Sequence, residues 1–384
     1  MKEIRGATRR ALGNLVDLAL EKKVDFVLIS GDLYDGDQKD YATALFFNRQ
    51  MLRLRAAKIP VFAISGNHDA GSVITKALSS PDNVQFFPVK KAGTFSFPNL
   101  HVTIHGQGFA NASVQENLVL SYPEAVPGHF NIGLLHTSLA GSAIHDTYAP
   151  CSVADLEKKA YQYWALGHIH QPEVIQEAPW IVYPGNIQGR KINETGERGC
   201  YLVEVDDSLK VTSHDFVPLD VVRWDHLFLD VSSLDSLDSL RDEILQTFSA
   251  ACGEVGERLL ALRLTLTGAT ALHGELHSDL NKWQAECTSV AQEIDPDQLW
   301  FEQLKLATTP THDLDELAAR DDLTALVLSA LDDFQPDQNP AAVTSLESKL
   351  PPSLIAELAG KDASDLKEEV AAIVLHSITT SPTD

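Results

Sequence analysis

Apolar residues recur every three or four positions from residue 7 to residue 23, and this spacing predicts an amphipathic helix. A mostly apolar segment over residues 24–30 follows and predicts a short buried strand. The same order repeats, with a helix predicted over 41–57 and a strand over 59–65. Because helices that alternate with buried strands are typical of βαβ units, the first part of the chain is predicted to be an α/β layered domain.

Later apolar runs extend this pattern. They predict strands at 83–87, 101–105, 130–135, 163–166, 181–183 and 201–205. From Trp224 onward the order becomes strand, helix, strand, helix, strand, at 227–231, 237–251, 259–267, 276–291 and 300–306. That regular order predicts a small separate α/β domain.

The end of the chain differs in composition. Residues 311–384 hold fifteen Asp/Glu and only four Lys/Arg, and the pattern there is helical. Two apolar stripes with helical spacing leave two interpretations open, a solvated appendage or a docking arm. The stripes are Leu354, Ile355 and Leu358, and Leu366, Val370, Ile373 and Val374.

We therefore predict an α/β protein with three regions. They are a first domain over 1–218, a small α/β domain over 219–308 and an acidic helical C-terminal region over 309–384.

Net charge narrows the functional classes. The chain carries 54 acidic and 30 basic residues, a formal charge of −24. That balance argues against a free-standing nucleic-acid binder, because phosphate neutralisation needs Lys and Arg surfaces. A nuclease stays open, since metal ions neutralise phosphate locally and a partner can supply basic surface.

The compartment is predicted from cysteine usage and from the N-terminus. Four scattered cysteines without C-x-x-C spacing indicate reduced thiols rather than disulfides or a zinc site. Charged residues interrupt the first 23 positions, which excludes a signal peptide, and the longest apolar runs are too short to cross a membrane. A cytoplasmic protein without membrane contact is expected.

Four stretches at the ends of predicted strands carry metal-binding side chains. They are Gly31-Asp32-Leu33-Tyr34-Asp35, Gly66-Asn67-His68-Asp69, Leu135-His136-Thr137 and Gly167-His168-Ile169-His170. Carboxylate, amide oxygen and imidazole are the donors that a hydrolytic two-metal site requires. Open α/β sheets place their ligands at the C-terminal ends of strands.

Each motif suggests a role. Asp32 can bridge two divalent ions with its two oxygens, and Asn67 adds an oxygen without charge. His68, beside Asn67, can protonate a leaving oxygen or stabilise charge on phosphate. His168 and His170, two residues apart in an extended segment, share one side of the chain.

Every motif taken alone also has a structural interpretation. Asp32 could cap a turn, Gly66 to Asp69 could form a tight loop, and a lone strand-end histidine is usually a core residue. His105 also ends a predicted strand and is the nearest rival of His136. The functional hypothesis rests on four motifs occurring together, each with a suitable donor.

Weaker candidates complete the set. Asp35 and Asp37 are expected to serve as turn or outer-shell groups, and His145 and Arg190 are candidates for substrate contact. Other hydrolytic chemistries find less support. The sequence has no Gly-x-Ser-x-Gly elbow, no cysteine with an adjacent histidine and no glycine-rich P-loop.

The order of these motifs resembles the calcineurin-like metallophosphoesterase superfamily. Within it, Gly31-Asp32-Leu33-Tyr34-Asp35 and the segment from Tyr183 to Arg190 are similar to the DNA-repair exonuclease branch, the SbcD-type nucleases and their YhaO-like relatives. The resemblance covers roughly residues 5–305 and implies a four-layer sandwich of two mixed β-sheets flanked by helices. It also implies that the small α/β domain caps the nuclease domain and shapes DNA access, ahead of a helical C-terminal extension.

The same resemblance implies a site with two Mn²⁺ ions. Asp32 would bridge them, Asn67, His136 and His168 would complete one position, and His170 would contribute to the other. His68 would be the catalytic histidine. The resemblance further implies DNA as substrate, a coiled-coil ATPase of the SbcC type as partner, and a homodimer.

One departure from the family pattern affects activity. Members normally open with a strand that ends in Asp-x-His, and residues 1–30 contain no histidine. We expect a truncated gene model or a fragment rather than an evolutionary loss, with one complete metal position and one weak one. This polypeptide is then expected to have little or no nuclease activity, and a version extended upstream to be active with Mn²⁺.

The leading functional hypothesis is a metal-dependent DNA exonuclease or endonuclease subunit in DNA repair. Two alternatives stay open. One is a phosphodiesterase or phosphatase on small phosphate esters, because the metal site does not choose the substrate. The other is a catalytically impaired binding subunit that keeps the fold and one metal.

Overall fold

The structure is a computed structural model that describes residues 6–33, 41–70, 80–139 and 148–311, together with positions 4 and 326. Except at 309–311 and position 326, the predicted acidic helical region with its two apolar stripes lies outside the described residues. The candidates Asp35, Asp37 and His145 lie outside them too. Contacts divide the chain into two compact units, 1–224 and 225–384.

The first unit contains four α-helices and eleven strands within the described residues. The helices are α1 (Ala7–Lys22), α2 (Tyr41–Ala56), α3 (Asn67–Ala70) and α4 (Val153–Glu157). The strands are β1 (Val27–Ile29), β2 (Val61–Ala63), β3 (Val84–Phe86), β4 (Gly93–Phe97), β5 (Val102–Gln107), β6 (Phe130–His136), β7 (Tyr163–Gly167), β8 (Glu173–Glu177), β9 (Trp180–Tyr183), β10 (Gly199–Val205) and β11 (Val211–Pro218). Short 3₁₀ helices occupy Pro98–Leu100 and Leu118–Ser121.

These strands form three sheets in the described part of the unit. A three-stranded parallel sheet has the order β1-β2-β3. A six-stranded sheet has the order β4-β5-β6-β7-β9-β8, in which the two outer strands run antiparallel to their neighbours. Strands β10 and β11 form an antiparallel ribbon. The predicted α/β class, with several sheets flanked by helices, is confirmed.

Alternating side chains hold the layers together. In β1, Leu28 packs into the core between the two larger sheets, whereas Val27 and Ile29 pack against helices α1 and α2. In β6, Leu134 faces the three-stranded sheet and Leu135 faces a second core on the opposite side. All seven residues of β6 are buried because both faces of its sheet are covered.

The second unit is a smaller α/β domain. It contains β12 (Val222–Asp230), which begins just before the division, then α5 (Leu237–Glu254), β13 (Leu259–Thr270), α6 (His273–Ser278), α7 (Leu280–Ile294) and β14 (Leu299–Pro310). The sheet order is β12-β13-β14, with β13 and β14 parallel. Its core includes Phe248 of α5, Leu262 and Leu264 of β13, and Trp283 of α7.

The structure differs from the predicted elements where burial is partial. Strand β4 alternates between half-buried and exposed residues, and three of the five residues of β8 are exposed, so both lack the apolar runs that marked the central strands. The helix predicted over 276–291 is two helices. Asp279 separates them, because its side chain accepts a hydrogen bond from the Lys282 amide at 2.9 Å and caps a new helix.

A cavity of about 920 Å³ lies within the first unit between β1 and β10. Its lining includes Leu15 and Leu18 of α1, Val27 of β1, and Tyr201 and Val203 of β10. Among the described strands, β1 ends its sheet and β10 pairs with β11 alone. Each of these two strands therefore has one edge without a strand partner among the described residues.

His214 of β11 joins the ribbon to the six-stranded sheet. Its ring stacks between Trp180 and Tyr201, with centroids 4.2 and 4.4 Å away, and its Nε2 lies 3.1 Å from the Tyr163 hydroxyl. Burial lowers the pKa of His214. No helix among the described residues is long and apolar enough to cross a membrane.

Two glycine substitutions are expected to change stability in opposite directions. A Cβ at Gly133, in the centre of β6, would overlap the Trp164 ring, so Gly133→Ala should lower the free energy of unfolding by about 1–3 kcal/mol. Gly13 lies in α1 with nothing within 4 Å of an added Cβ, so Gly13→Ala should raise it by about 0.5–1 kcal/mol. Urea denaturation measures both, and equal shifts would contradict the packing at Gly133.

The free energy of unfolding is expected to fall as pH drops below about 6.5, the pKa of an exposed imidazole. Below that pH the unfolded chain binds a proton at His214 that the folded protein does not, because burial lowers the folded-state pKa. His214→Gln should therefore make the stability less dependent on pH between about 6.5 and 5. The exposed His101 provides the control. Identical pH profiles for wild type, His214→Gln and His101→Gln would contradict this role.

Candidate metal centre

The first site segment follows β1 directly. Gly31 has φ +96° and Asp32 has φ +52°, a left-handed conformation that non-glycine residues adopt uncommonly. A Cβ at Gly31 would lie 2.7 Å from His136 Nδ1 and 2.9 Å from the Gly66 nitrogen. The turn therefore requires glycine at position 31. Asp32 is held in a strained backbone conformation, which is a frequent feature of functional sites.

Three predicted ligands meet at one point. His136, at the end of β6, is fully buried, and its Nε2 lies 2.9 Å from Asn67 Oδ1. The same nitrogen lies 3.5 Å from Asp32 Oδ2. Asn67 opens helix α3 just past β2, so the three donors come from the C-terminal ends of three different strands.

The tautomer of His136 decides what this point can bind. Its Nδ1 lies 2.9 Å from the Ser30 carbonyl, which can only accept, so Nδ1 carries the proton. In the neutral ring Nε2 then presents a lone pair toward two oxygens. Three electron-pair donors facing one another are stabilised by a cation, and carboxylate, amide oxygen and imidazole suit a divalent metal. These residues fit one metal ion.

Glycines make this approach possible. A Cβ at Gly66 would clash with Asp32 Oδ1 and lie 2.7 Å from His136 Cε1. A Cβ at Gly167 would clash with the Ser30 carbonyl and lie 2.9 Å from His136 Nδ1. Glycines 31, 66 and 167 thus surround the His136 imidazole, which is the physical reason that the other three motifs each begin with glycine.

Asp69 ties two of the motifs together. It is 4% exposed, and its Oδ2 accepts hydrogen bonds from the amides of Gly66 at 3.0 Å and Leu33 at 3.1 Å. The sequence contained Asp69 in a motif but gave no signal for this role, because Leu33 lies 36 residues away.

His68 lies beside Asp32. Its backbone amide donates to Asp32 Oδ1 at 3.1 Å, and the residue as a whole is exposed. The main chain of His68 is therefore fixed next to the three converging donors, while the residue stays open to solvent.

His168 packs beside the converging donors. Its ring centroid lies 5.4 Å from that of His136 at an angle of 75°, and 5.1 Å from that of Tyr148. Its φ is +100°, a second strained position in the site. Within the described residues, no group of three or more His, Cys, Asp or Glu side chains is arranged as a metal cluster. Asp32, Asn67 and His136 therefore converge, and His168 adjoins them without completing such a cluster.

His170 makes its contacts elsewhere, with a carboxylate that the sequence interpretation missed. Its Nδ1 lies 2.9 Å from Oε1 of Glu194, which is 4% exposed. Glu194 Oε2 also accepts from Asn186 Nδ2 at 3.0 Å and from the Arg190 amide at 2.7 Å. Burial alone would raise the pKa of Glu194, but the hydrogen bonds from His170 and Arg190 lower it to about 2. A lone glutamate in a loop carried no signal that could have identified it.

The rival candidates have structural roles in the described chain. His105 is buried in β5, contacts Thr94 Oγ1 at 2.9 Å and Asn131 Oδ1 at 3.3 Å, and stacks on Tyr161. Burial lowers the pKa of His105. Arg190 is exposed and contributes its backbone amide to Glu194. The structure thus brings His136, and not His105, to Asp32 and Asn67.

Two family models match this chain. The model for calcineurin-like phosphoesterases matches residues 6–172, which contain all six predicted site residues. The model for the middle domain of metallophosphoesterase YhaO matches residues 224–309.

Two curated relatives agree with these matches. The uncharacterized metallophosphoesterase YhaO of Bacillus subtilis (strain 168) is 35% identical over 251 residues, which cover 64% of this chain and 61% of YhaO. The DNA double-strand break repair protein Mre11 of Sulfurisphaera tokodaii is 29% identical over 168 residues, 42% of each chain. The chain spans less than two thirds of the length of either relative. The chain therefore contains a calcineurin-like phosphoesterase domain over residues 6–172 and is homologous to YhaO and Mre11.

Proposed function

We propose that this protein is a Mn²⁺-dependent phosphodiesterase that hydrolyses DNA in DNA repair. The observation that carries the proposal is the convergence of Asp32, Asn67 and His136 Nε2. Residues 6–172 match a family of hydrolases that use divalent metals. Mn²⁺ suits the mixed oxygen and nitrogen donors of this position.

Each predicted site residue has a place in the proposal. Asp32, Asn67 and His136 would hold one ion, with His168 beside these residues, and His170 would contribute to a second position. A bound divalent ion supplies Lewis-acid stabilisation of the phosphate charge. The buried Asp69 and the glycines keep the donor atoms at their observed separations.

His68 is proposed as the general acid. Its amide is fixed on Asp32, and its exposure leaves the imidazole accessible to a substrate. A histidine so placed can protonate the leaving oxygen of a phosphodiester near neutral pH.

DNA as substrate is supported by the Mre11 relative, whose name assigns it to double-strand break repair. The charge of −24 argues that basic surface for DNA comes from another chain. We propose a coiled-coil ATPase of the SbcC type as that partner, a homodimeric assembly and a cytoplasmic location. The same negative charge favours the second candidate function, hydrolysis of small phosphate esters, which need no extended basic surface.

Mn²⁺ affinity is expected to depend on the converging donors. Isothermal titration should show one tight Mn²⁺ position, lost in His136→Gln because its imidazole ligand is gone. Gly66→Ala should weaken Mn²⁺ binding about 10–100-fold, as disturbed outer-shell groups typically do, since the new methyl group displaces Asp32 or His136. Gly253→Ala is the control, because an added Cβ at this position in α5 meets nothing within 4 Å. Gly196→Ala is unsuitable, because φ is +80° there and alanine would strain the backbone. Unchanged affinity in His136→Gln would contradict the proposed position.

The substrate is tested with linear duplex DNA and with bis-p-nitrophenyl phosphate, using these 384 residues and a form extended upstream. Mn²⁺-dependent DNA hydrolysis by the extended form is expected, and His68→Gln should lower kcat about 10²–10⁴-fold with Mn²⁺ affinity unchanged. Hydrolysis of the small ester alone would favour the second function. Metal binding without hydrolysis of either substrate in both forms would indicate a binding subunit.

A further inference from the structure

Glu194 is a buried carboxylate outside the three converging donors. It is 4% exposed and carries its charge among hydrogen-bond donors from three residues, His170, Asn186 and Arg190. A buried carboxylate is costly unless such donors satisfy it. The three donors come from two loops, one before β8 and one after β9, and together they satisfy this side chain.

The hydrogen bond from His170 fixes the state of that imidazole. An ionised carboxylate only accepts, so His170 Nδ1 must donate to Glu194 Oε1 across their 2.9 Å separation. The neutral ring then carries its lone pair on Nε2. The imidazole is 38% exposed, so this lone pair belongs to a side chain that an ion in solution can reach.

The main chain of His170 is fixed as well. Its carbonyl accepts hydrogen bonds from the Asn186 amide at 3.1 Å and from the Arg198 guanidinium. Arg198 is 2% exposed and also donates to Gln171 Oε1 at 2.9 Å and to the Thr195 carbonyl at 2.6 Å. His170 lies beyond the end of β7, so these contacts replace the support that a regular strand would give.

We propose that Glu194 is the positioning residue for His170, holding the ring in the tautomer that presents Nε2 to a divalent metal. This inference rests on the proposed function, in which His170 serves the second metal position. Carboxylates that accept from a ligating histidine fix its tautomer and raise its basicity, and losing one costs about 10–100-fold in metal affinity. Arg198 acts on the same segment by holding its backbone.

Glu194→Gln tests the proposal directly. The glutamine keeps the size of the side chain, but its NH₂ group can only donate. It would face either the two donors from Asn186 and Arg190 or the Nδ1–H of His170, so at least one of these hydrogen bonds is lost. Long-range ¹H–¹⁵N spectra of histidine-labelled protein report the tautomer of His170. The proposal expects the Nδ1–H tautomer in the wild type and a mixture in Glu194→Gln. It also expects the Mn²⁺ concentration that half-broadens the His170 signals to rise about 10–100-fold.

Asp155→Asn is the matched control. Asp155 is likewise a carboxylate held by several donors, namely Ser152, Asn117 and Lys158, and it completes the capping box of α4, whose N-cap is Ser152. Its loss should lower stability without changing the His170 signals or their response to Mn²⁺. Glu194→Asp, which keeps the charge, should restore part of the tautomer preference that Glu194→Gln loses.

The outcomes separate the two proposals. An unchanged tautomer and unchanged Mn²⁺ response in Glu194→Gln would overturn the positioning role, even if the wild type hydrolyses phosphodiesters. A changed tautomer with no Mn²⁺ response at His170 in the wild type would overturn His170 as a metal residue. Absence of hydrolysis in both chain lengths, with the expected tautomer and Mn²⁺ responses, would remove the proposed function and leave the positioning role intact.

Discussion

The buried imidazole of His136 is the interaction on which the candidate site depends. Its Nδ1 is bonded to the Ser30 carbonyl at the end of β1, and its Nε2 faces Asn67 past β2 and Asp32 past β1. One ring therefore connects the six-stranded sheet to two strands of the three-stranded sheet. Glycines 31, 66 and 167 are required because the backbone comes within contact distance of this ring or its partners. The geometry of the candidate site and the packing of the two sheets are thus the same constraint.

Much of this arrangement could be predicted from the sequence, for physical reasons. Strands such as β6 are buried on both faces, so their continuous apolar runs are visible in the sequence. The donors at their C-terminal ends follow from how open α/β sheets place ligands. Edge strands such as β4 were not predicted, because half of their residues face away from the core. The break at Asp279 within a predicted helix depends on one side-chain cap, which apolar spacing does not report.

The rest of the site depends on contacts between distant residues. Asp69 bonds an amide 36 residues away, and Glu194 bonds a histidine 24 residues away. Neither pairing leaves a local pattern in the sequence, because such partners are set by tertiary structure. The tautomers of His136 and His170 also could not be predicted from the sequence, because each is decided by the acceptor that faces Nδ1 in the folded protein. In both residues that acceptor leaves Nε2 as the electron-pair donor.

The site described above requires that Asp32, Asn67 and His136 hold one metal ion together. Anomalous diffraction at the manganese edge, from crystals of this chain grown with Mn²⁺, is the sharpest test. We expect a manganese peak within coordination distance of Asp32, Asn67 Oδ1 and His136 Nε2. A well-occupied manganese site elsewhere, with these three side chains still in mutual contact and no peak between them, would contradict it.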